Sequence, residues 1–149
     1  MTESNGRPIP RDEWRWFGNA GHFICAQWCR FHFATQVGPW LVSTVGQYVH
    51  PRHGRGTEAG ESAWLAKNPN GEEIGFDRFY ETMVFRAGAP CTAKECGCGL
   101  PTLADGSELD MEGYNDAGAA TRGHYAMCEK WAAVPDALSA SPPTSGGAA

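Results

Sequence analysis

The sequence predicts a small α+β domain: an antiparallel sheet, a short helix, and a C-terminal helix tied down by a cysteine-rich zinc loop. Three observations predict it. Runs of β-branched and aromatic residues at 31–37, 40–45 and 79–85 are bounded by turn residues. Two stretches, about 57–67 and 115–132, carry capping residues followed by helix formers. Cys91, Cys96, Cys98, His124 and Cys128 crowd into the C-terminal portion.

The totals fit one such domain. At 149 residues, with 42% apolar residues and a mean hydropathy of −0.42, the chain has the material for a single core. Seventeen aromatics, six of them Trp, make that core bulky. The domain is expected over 14–133, after a flexible N-terminus at 1–13 and before a Ser/Pro/Gly/Ala tail at 134–149. No stretch reaches the length of a membrane span, and Met-Thr-Glu-Ser-Asn-Gly lacks the apolar core of a signal peptide. A reducing cytoplasm is therefore the expected compartment, where cysteines serve as free thiols or metal ligands rather than disulfides.

Charge divides unevenly along the chain. Residues 1–56 carry six Arg against Glu3, Asp12 and Glu13, for +3, and residues 57–149 carry six Lys or Arg against fourteen acids, for −8. A net charge of −5 argues against general affinity for nucleic acid.

Taken in order, residues 22–49 read as a hairpin turning at Gly38-Pro39. Leu41, Ser43 and Val45 then share one face of a central strand, with Val42 and Thr44 on the other. Its first arm holds His22, Cys25, Cys29 and His32, whose spacing does not suit one metal. A helix would spread them over nearly three turns, and a straight strand would point the histidines away from the cysteines. Buried cysteines with surface histidines is the simpler reading, and a second metal site the alternative. His50 to Gly56 reads as a basic flexible loop in which Arg52, His53 and Arg55 are candidates to hold an anion.

Thr57 caps the expected helix to Lys67, with Glu58 and Glu61 suited to its positive end. Asn68-Pro-Asn-Gly71 stops it. In the strand at about 79–86, Glu81 shares a face with Phe79, Met83 and Phe85. That placement calls for a cross-sheet cation, or marks an acid of raised pKa. In the last helix, capped by Asn115 or Asp116 and weakened by Gly118 and Gly123, His124, Cys128 and Trp131 lie on one face.

The cysteine loop supplies the densest chemistry. Cys91-x4-Cys96-Gly-Cys98-Gly places glycines where a chain must curl to aim thiolates inward. The ligand set expected is Cys91, Cys96, Cys98 and Cys128, with His124 as a substitute ligand or a hydrogen-bond partner of a sulfur. Four closed ligands would make the zinc structural.

Several segments resemble a small protein type met in phage and prophage genomes. They are Trp16-Phe-Gly, Gly21-His-Phe-Ile-Cys25, Cys29-Arg-Phe-His32, Thr35-Gln-Val-Gly38 and Leu41-Val-Ser-Thr-Val-Gly46. Tyr80-Glu-Thr-Met-Val-Phe-Arg-Ala-Gly88, the Cys91 to Gly99 loop and Gly123-His-Tyr-Ala-Met-Cys-Glu-Lys-Trp131 continue the likeness over about 14 to 132. The resemblance implies a phage or prophage origin, and no activity or active residue comes with it.

Three functions follow in rank. First stands a zinc-stabilised accessory protein that binds a macromolecule, a protein partner above all. Second is a Cys/His enzyme on a small or nucleotide-like substrate, with Cys25 or Cys29 as nucleophile and His32 or His22 as base. Glu81 would orient that base, and Arg52 and Arg55 would grip the anion. Third is nucleic-acid binding through the basic front, with Trp14, Trp16 or Trp40 as stacking platforms.

Overall fold

The computed structural model describes residues 7–18, 28–96 and 98–136. Within them five antiparallel strands form one meander in the order β1-β2-β3-β4-β5, each beside its neighbour in the chain. The strands are β1 (Arg15–Phe17), β2 (Cys29–Val37), β3 (Trp40–Tyr48), β4 (Tyr80–Pro90) and β5 (Pro101–Tyr114). Two helices, α1 (Pro51–Gly54) and α2 (Glu58–Lys67), lie between β3 and β4, and α3 (Ala117–Ala132) follows β5. Among the described residues, no helix is long and apolar enough to cross a membrane.

The expected hairpin is the centre of the sheet. Gly38 takes a positive φ of 62° and Pro39 fixes the next φ, so Val37 and Trp40 pair directly across a two-residue turn. Leu41, Val42, Ser43, Thr44 and Val45 are all buried, as a central strand requires. Residues 22–27 of the expected first arm lie outside the described residues.

The basic stretch after β3 is not a flexible loop. Pro51 opens α1, where its missing N–H costs nothing, and the His50 ring Nδ1 accepts the Arg52 N–H at 3.1 Å. Thr57 Oγ1 then caps α2 by accepting the Gly60 N–H at 3.0 Å.

β4 runs four residues past its expected end, and β5 was not expected. Pairing of β3 with β4 ends at Trp40–Arg86, yet β4 continues against β5 through Ala87–Leu103 to Pro90–Pro101. The two strands therefore leave the sheet as a two-stranded arm with the cysteine loop at its tip. Ala104-Asp-Gly-Ser-Glu108 reads as a turn because these residue types disfavour strands. Register shifts between Val84 and Pro90 absorb the surplus as an irregularity, with Gly106 at φ 76°.

Asp116 caps α3, its Oδ1 accepting the Ala119 N–H at 2.8 Å. Gly123, a weak helix former, is required here: a Cβ would sit 2.1 Å from the Tyr114 hydroxyl of β5. α3 lies on one face of the sheet and buries Met127, Cys128, Trp131 and Ala132 against Trp14, Val37, Trp40, Val42 and Val84. Trp40 and Trp131 meet edge-on at 5.0 Å. Each such buried side chain contributes about 1.5–3 kcal/mol of transfer free energy. Ahead of β1, the Ile9 N–H donates to Ala132 O at 2.9 Å and Trp14 Nε1 donates to Ile9 O at 3.1 Å, so this segment is anchored to the end of α3.

Candidate metal centre

Cys91, Cys96 and Cys98 meet at the tip of the arm. Their sulfurs all lie within 4.8 Å of one another, with Cys96 and Cys98 exposed and Cys91 half-buried. The local chain explains the convergence. The Cys91 N–H donates to Leu100 O at 2.7 Å and closes the loop across its base. The Cys96 N–H donates to Ala93 O at 3.1 Å and makes a turn. Gly99 at φ 67° swings the chain back, so the Leu100 N–H points at Cys98 Sγ, 3.5 Å away. Such an N–H stabilises a thiolate and orients it. Hydrogen bonding with the Cys98 sulfur, with smaller effects from burial and Cys91, raises the Cys96 pKa above its ordinary value. A soft cation binding here would replace the thiol protons.

The structure does not bring Cys128 or His124 to this loop. Cys128 is fully buried in the α3 core, and burial pushes its thiol up to about 12, against a smaller opposing effect of a hydrogen bond with Thr35. A ligand must be a thiolate, and this environment forbids one. His124 is fully buried too, and both ring nitrogens are engaged: Nε2 with Thr35 Oγ1 at 2.8 Å, Nδ1 with Thr44 Oγ1 at 2.6 Å. Thr44 in turn meets Thr82 Oγ1 at 2.6 Å, and Thr82 bonds the Tyr114 hydroxyl. Phe33 covers the imidazole at 4.2 Å, and burial lowers its pKa to about 4, so the ring is neutral. What ties α3 to the sheet is therefore a Thr–His–Thr–Thr–Tyr hydrogen-bond ladder within an aromatic core, and no metal is needed for it.

Of the remaining candidates, Cys29, His32, Glu81, Arg52, His53 and Arg55 fall among the described residues. His22 and Cys25 lie outside the described residues. Cys29 is 3% exposed and clusters with Val45, Tyr48 and Ile74. His32 is half-buried and pairs with Val45 on the next strand. The Glu81 pKa is raised, by burial first and by the nearby Glu108 second, and no ion pair reaches it among the described residues. Of the anion-grip candidates, Arg52 pairs with Glu72, and His53 Nε2 lies 3.4 Å from the same carboxylate without a hydrogen bond while its ring stacks on Trp64 at 4.0 Å. Arg55 ends α1 in a left-handed conformation, φ 53°. Trp14 and Trp40 are buried in the core and cannot stack on bases. Trp16 is 46% exposed, in contact with Tyr125.

Comparison with known protein families, with curated proteins and with solved structures finds no match. Sequence reasoning missed the threonine ladder and the exposed Phe76. Threonines in strands read only as β-formers. For Phe76, the signal was a phenylalanine beside Gly75 in a stretch of turn residues.

Proposed function

We propose that this protein is a non-enzymatic binding module that carries a zinc-type thiolate site on its β4–β5 arm and presents the metal-ordered loop to a macromolecular partner. One observation carries the reading: three sulfurs within 4.8 Å at the tip of an arm that leaves the sheet, held by backbone hydrogen bonds. A tetrahedral zinc with Zn–S near 2.3 Å sets sulfurs about 3.8 Å apart, so the loop needs a contraction of at most about 1 Å. The fourth position falls to water or to a group of the partner. Soft thiolates also take Cu(I), and zinc is favoured by its preference for sulfur sites of this local kind. The residue resemblance over 14–132 supports a phage or prophage origin for the module, acting in the host cytoplasm.

Titration of reduced protein with Co(II) tests the site. One equivalent should develop sulfur-to-metal charge-transfer absorption, displaced by one equivalent of Zn(II), and Cys96→Ser or Cys98→Ser should abolish it. A wild-type protein that gives no stoichiometric band, or a Cys98→Ser variant that gives the full band, overturns the reading.

A further inference from the structure

The sheet face opposite α3 carries a second feature at its β4–β5 edge. Before β4, the chain turns from Gly75 to Arg78, with the Arg78 N–H donating to Gly75 O at 2.9 Å. Both central residues are left-handed, Phe76 at φ 54° and Asp77 at φ 60°. Such positions favour Gly or Asn, and a phenylalanine there is strained. Burial does not offset the strain, because Phe76 is 83% exposed. Beside it opens a cavity of about 190 Å³, walled by Ile74, Phe76 and Met111 and bordered by Glu81, Glu112 and Arg78. Met111 and Leu109 continue the exposed apolar surface along β5, whose outer edge pairs with no strand among the described residues.

Acids outnumber cations around this surface. Glu81 and Glu108 make no ion pair among the described residues. Burial and Glu108 together hold the Glu81 proton more tightly than usual, a cost that an incoming cation would relieve. Arg78 is the one cation lining the cavity among the described residues. Its stem lies over Gly113, and its guanidinium donates to the Asn115 amide oxygen at 3.0 Å once that amide is oriented to satisfy both neighbours. It therefore leaves Glu81 uncompensated.

We infer that this cavity and the adjoining β5 edge dock a basic, extended segment of a partner protein in which apolar and cationic residues alternate. One Lys or Arg enters the cavity onto Glu81, its apolar stem packs on Met111, and a neighbouring apolar side chain covers Phe76. A second copy of the chain is the poorer occupant: β5 carries Asp105, Glu108, Asp110 and Glu112, and edge-to-edge pairing would set like charges together. Nucleic acid is repelled by the same acids. The inference names the partner for the binding-module reading and rests on it, but not on the metal.

The probe is a short fluorescein-labelled peptide alternating Leu and Lys, followed by fluorescence anisotropy, with a Leu/Glu peptide as its counterpart. Wild type should bind the Leu/Lys peptide saturably. Glu81→Gln should weaken binding about tenfold, and Phe76→Ser or Met111→Gln about fivefold. Glu58→Gln on α2 and Cys98→Ser should leave it unchanged. Equal affinity of folded Glu81→Gln and wild type, equal loss in Glu58→Gln, or equal binding of the Leu/Glu peptide overturns the inference. A dimer in sedimentation that Met111→Gln dissolves also overturns it, in favour of a second copy. Protein that takes cobalt but ignores the peptide loses this inference alone, and protein that binds the peptide without cobalt loses only the metal.

Discussion

Cys128 in α3 and Cys96 in the arm loop both hold their protons above the ordinary thiol range, for different physical reasons. Cys128 does so because it is buried among Trp14, Trp40 and Trp131, which exclude the solvent a thiolate needs. Cys96 does so although exposed, because its strongest polar neighbours are the sulfurs of Cys98 and Cys91. In the core, polar groups are satisfied by the protein's own threonines. At the arm tip they are satisfied mainly by one another, and that arrangement gives way to a cation of suitable softness. Burial thus sorts the same residue type into packing in one place and available chemistry in another.

The largest expected effect tests the core side of this division. His124→Ala removes a ring that bonds both Thr35 and Thr44, leaving two buried hydroxyls short of a partner and a cavity under Phe33. The loss should be about 3–5 kcal/mol in urea unfolding. Cys96→Ser in metal-free protein, at an exposed position, should stay within about 0.5 kcal/mol of wild type. Comparable losses would mean that the arm shares the core's cooperativity.

A smaller effect concerns acid. The His124 pKa falls from its ordinary 6.5 to about 4 in the folded chain, because burial disfavours the charged ring. Its contribution is therefore fully present above pH 6.5 and is lost as pH falls towards 4. The total is about 3 kcal/mol. Burial of Asp110 works against its ionisation, yet hydrogen bonds from Lys130 and Trp131 hold its carboxyl below the ordinary 3.8. Its contribution is lost only below that value, so the two windows separate. Unfolding curves between pH 7 and 4.5 should show the slope in wild type and a flatter line in His124→Gln. An unchanged slope in that variant would remove His124 as its cause.

These two regions were unequally legible in the sequence. The hairpin at Gly38-Pro39 and both capped helices rest on local signals, a turn dipeptide and Thr57 or Asp116 side chains that bond nearby amides. The three loop sulfurs were legible for the same reason, since eight residues with glycines can converge by themselves. Cys128 was misread because its partners come from distant strands. The same helical stripe carries Trp131, and a stripe shared with a tryptophan marks a core face more often than a ligand set. β5 was hidden by Ala-Asp-Gly-Ser, whose turn character yields to pairing with β4. Glu81 was noticed as an odd carboxylate on an apolar face, but its surroundings, Glu108 and the cavity beside Phe76, exist only after folding.

The smallest effect on stability is expected from zinc, and it separates the two kinds of cysteine within one experiment. Alkylation of native protein at neutral pH, mapped by peptide mass, should modify Cys91, Cys96 and Cys98. Cys128 should react only on unfolding: raising its pKa from 9.0 to about 12 lowers the thiolate fraction roughly a thousandfold, before access is counted. Zinc should protect the three loop cysteines. If the arm, which leaves the sheet at Arg86, opens by itself, zinc bound at its tip should shift global unfolding by less than about 1 kcal/mol. If zinc instead slowed the labelling of Cys128, the loop and α3 would open together. The arm would then belong to the same cooperative unit as the core, whatever its distance from the helix face.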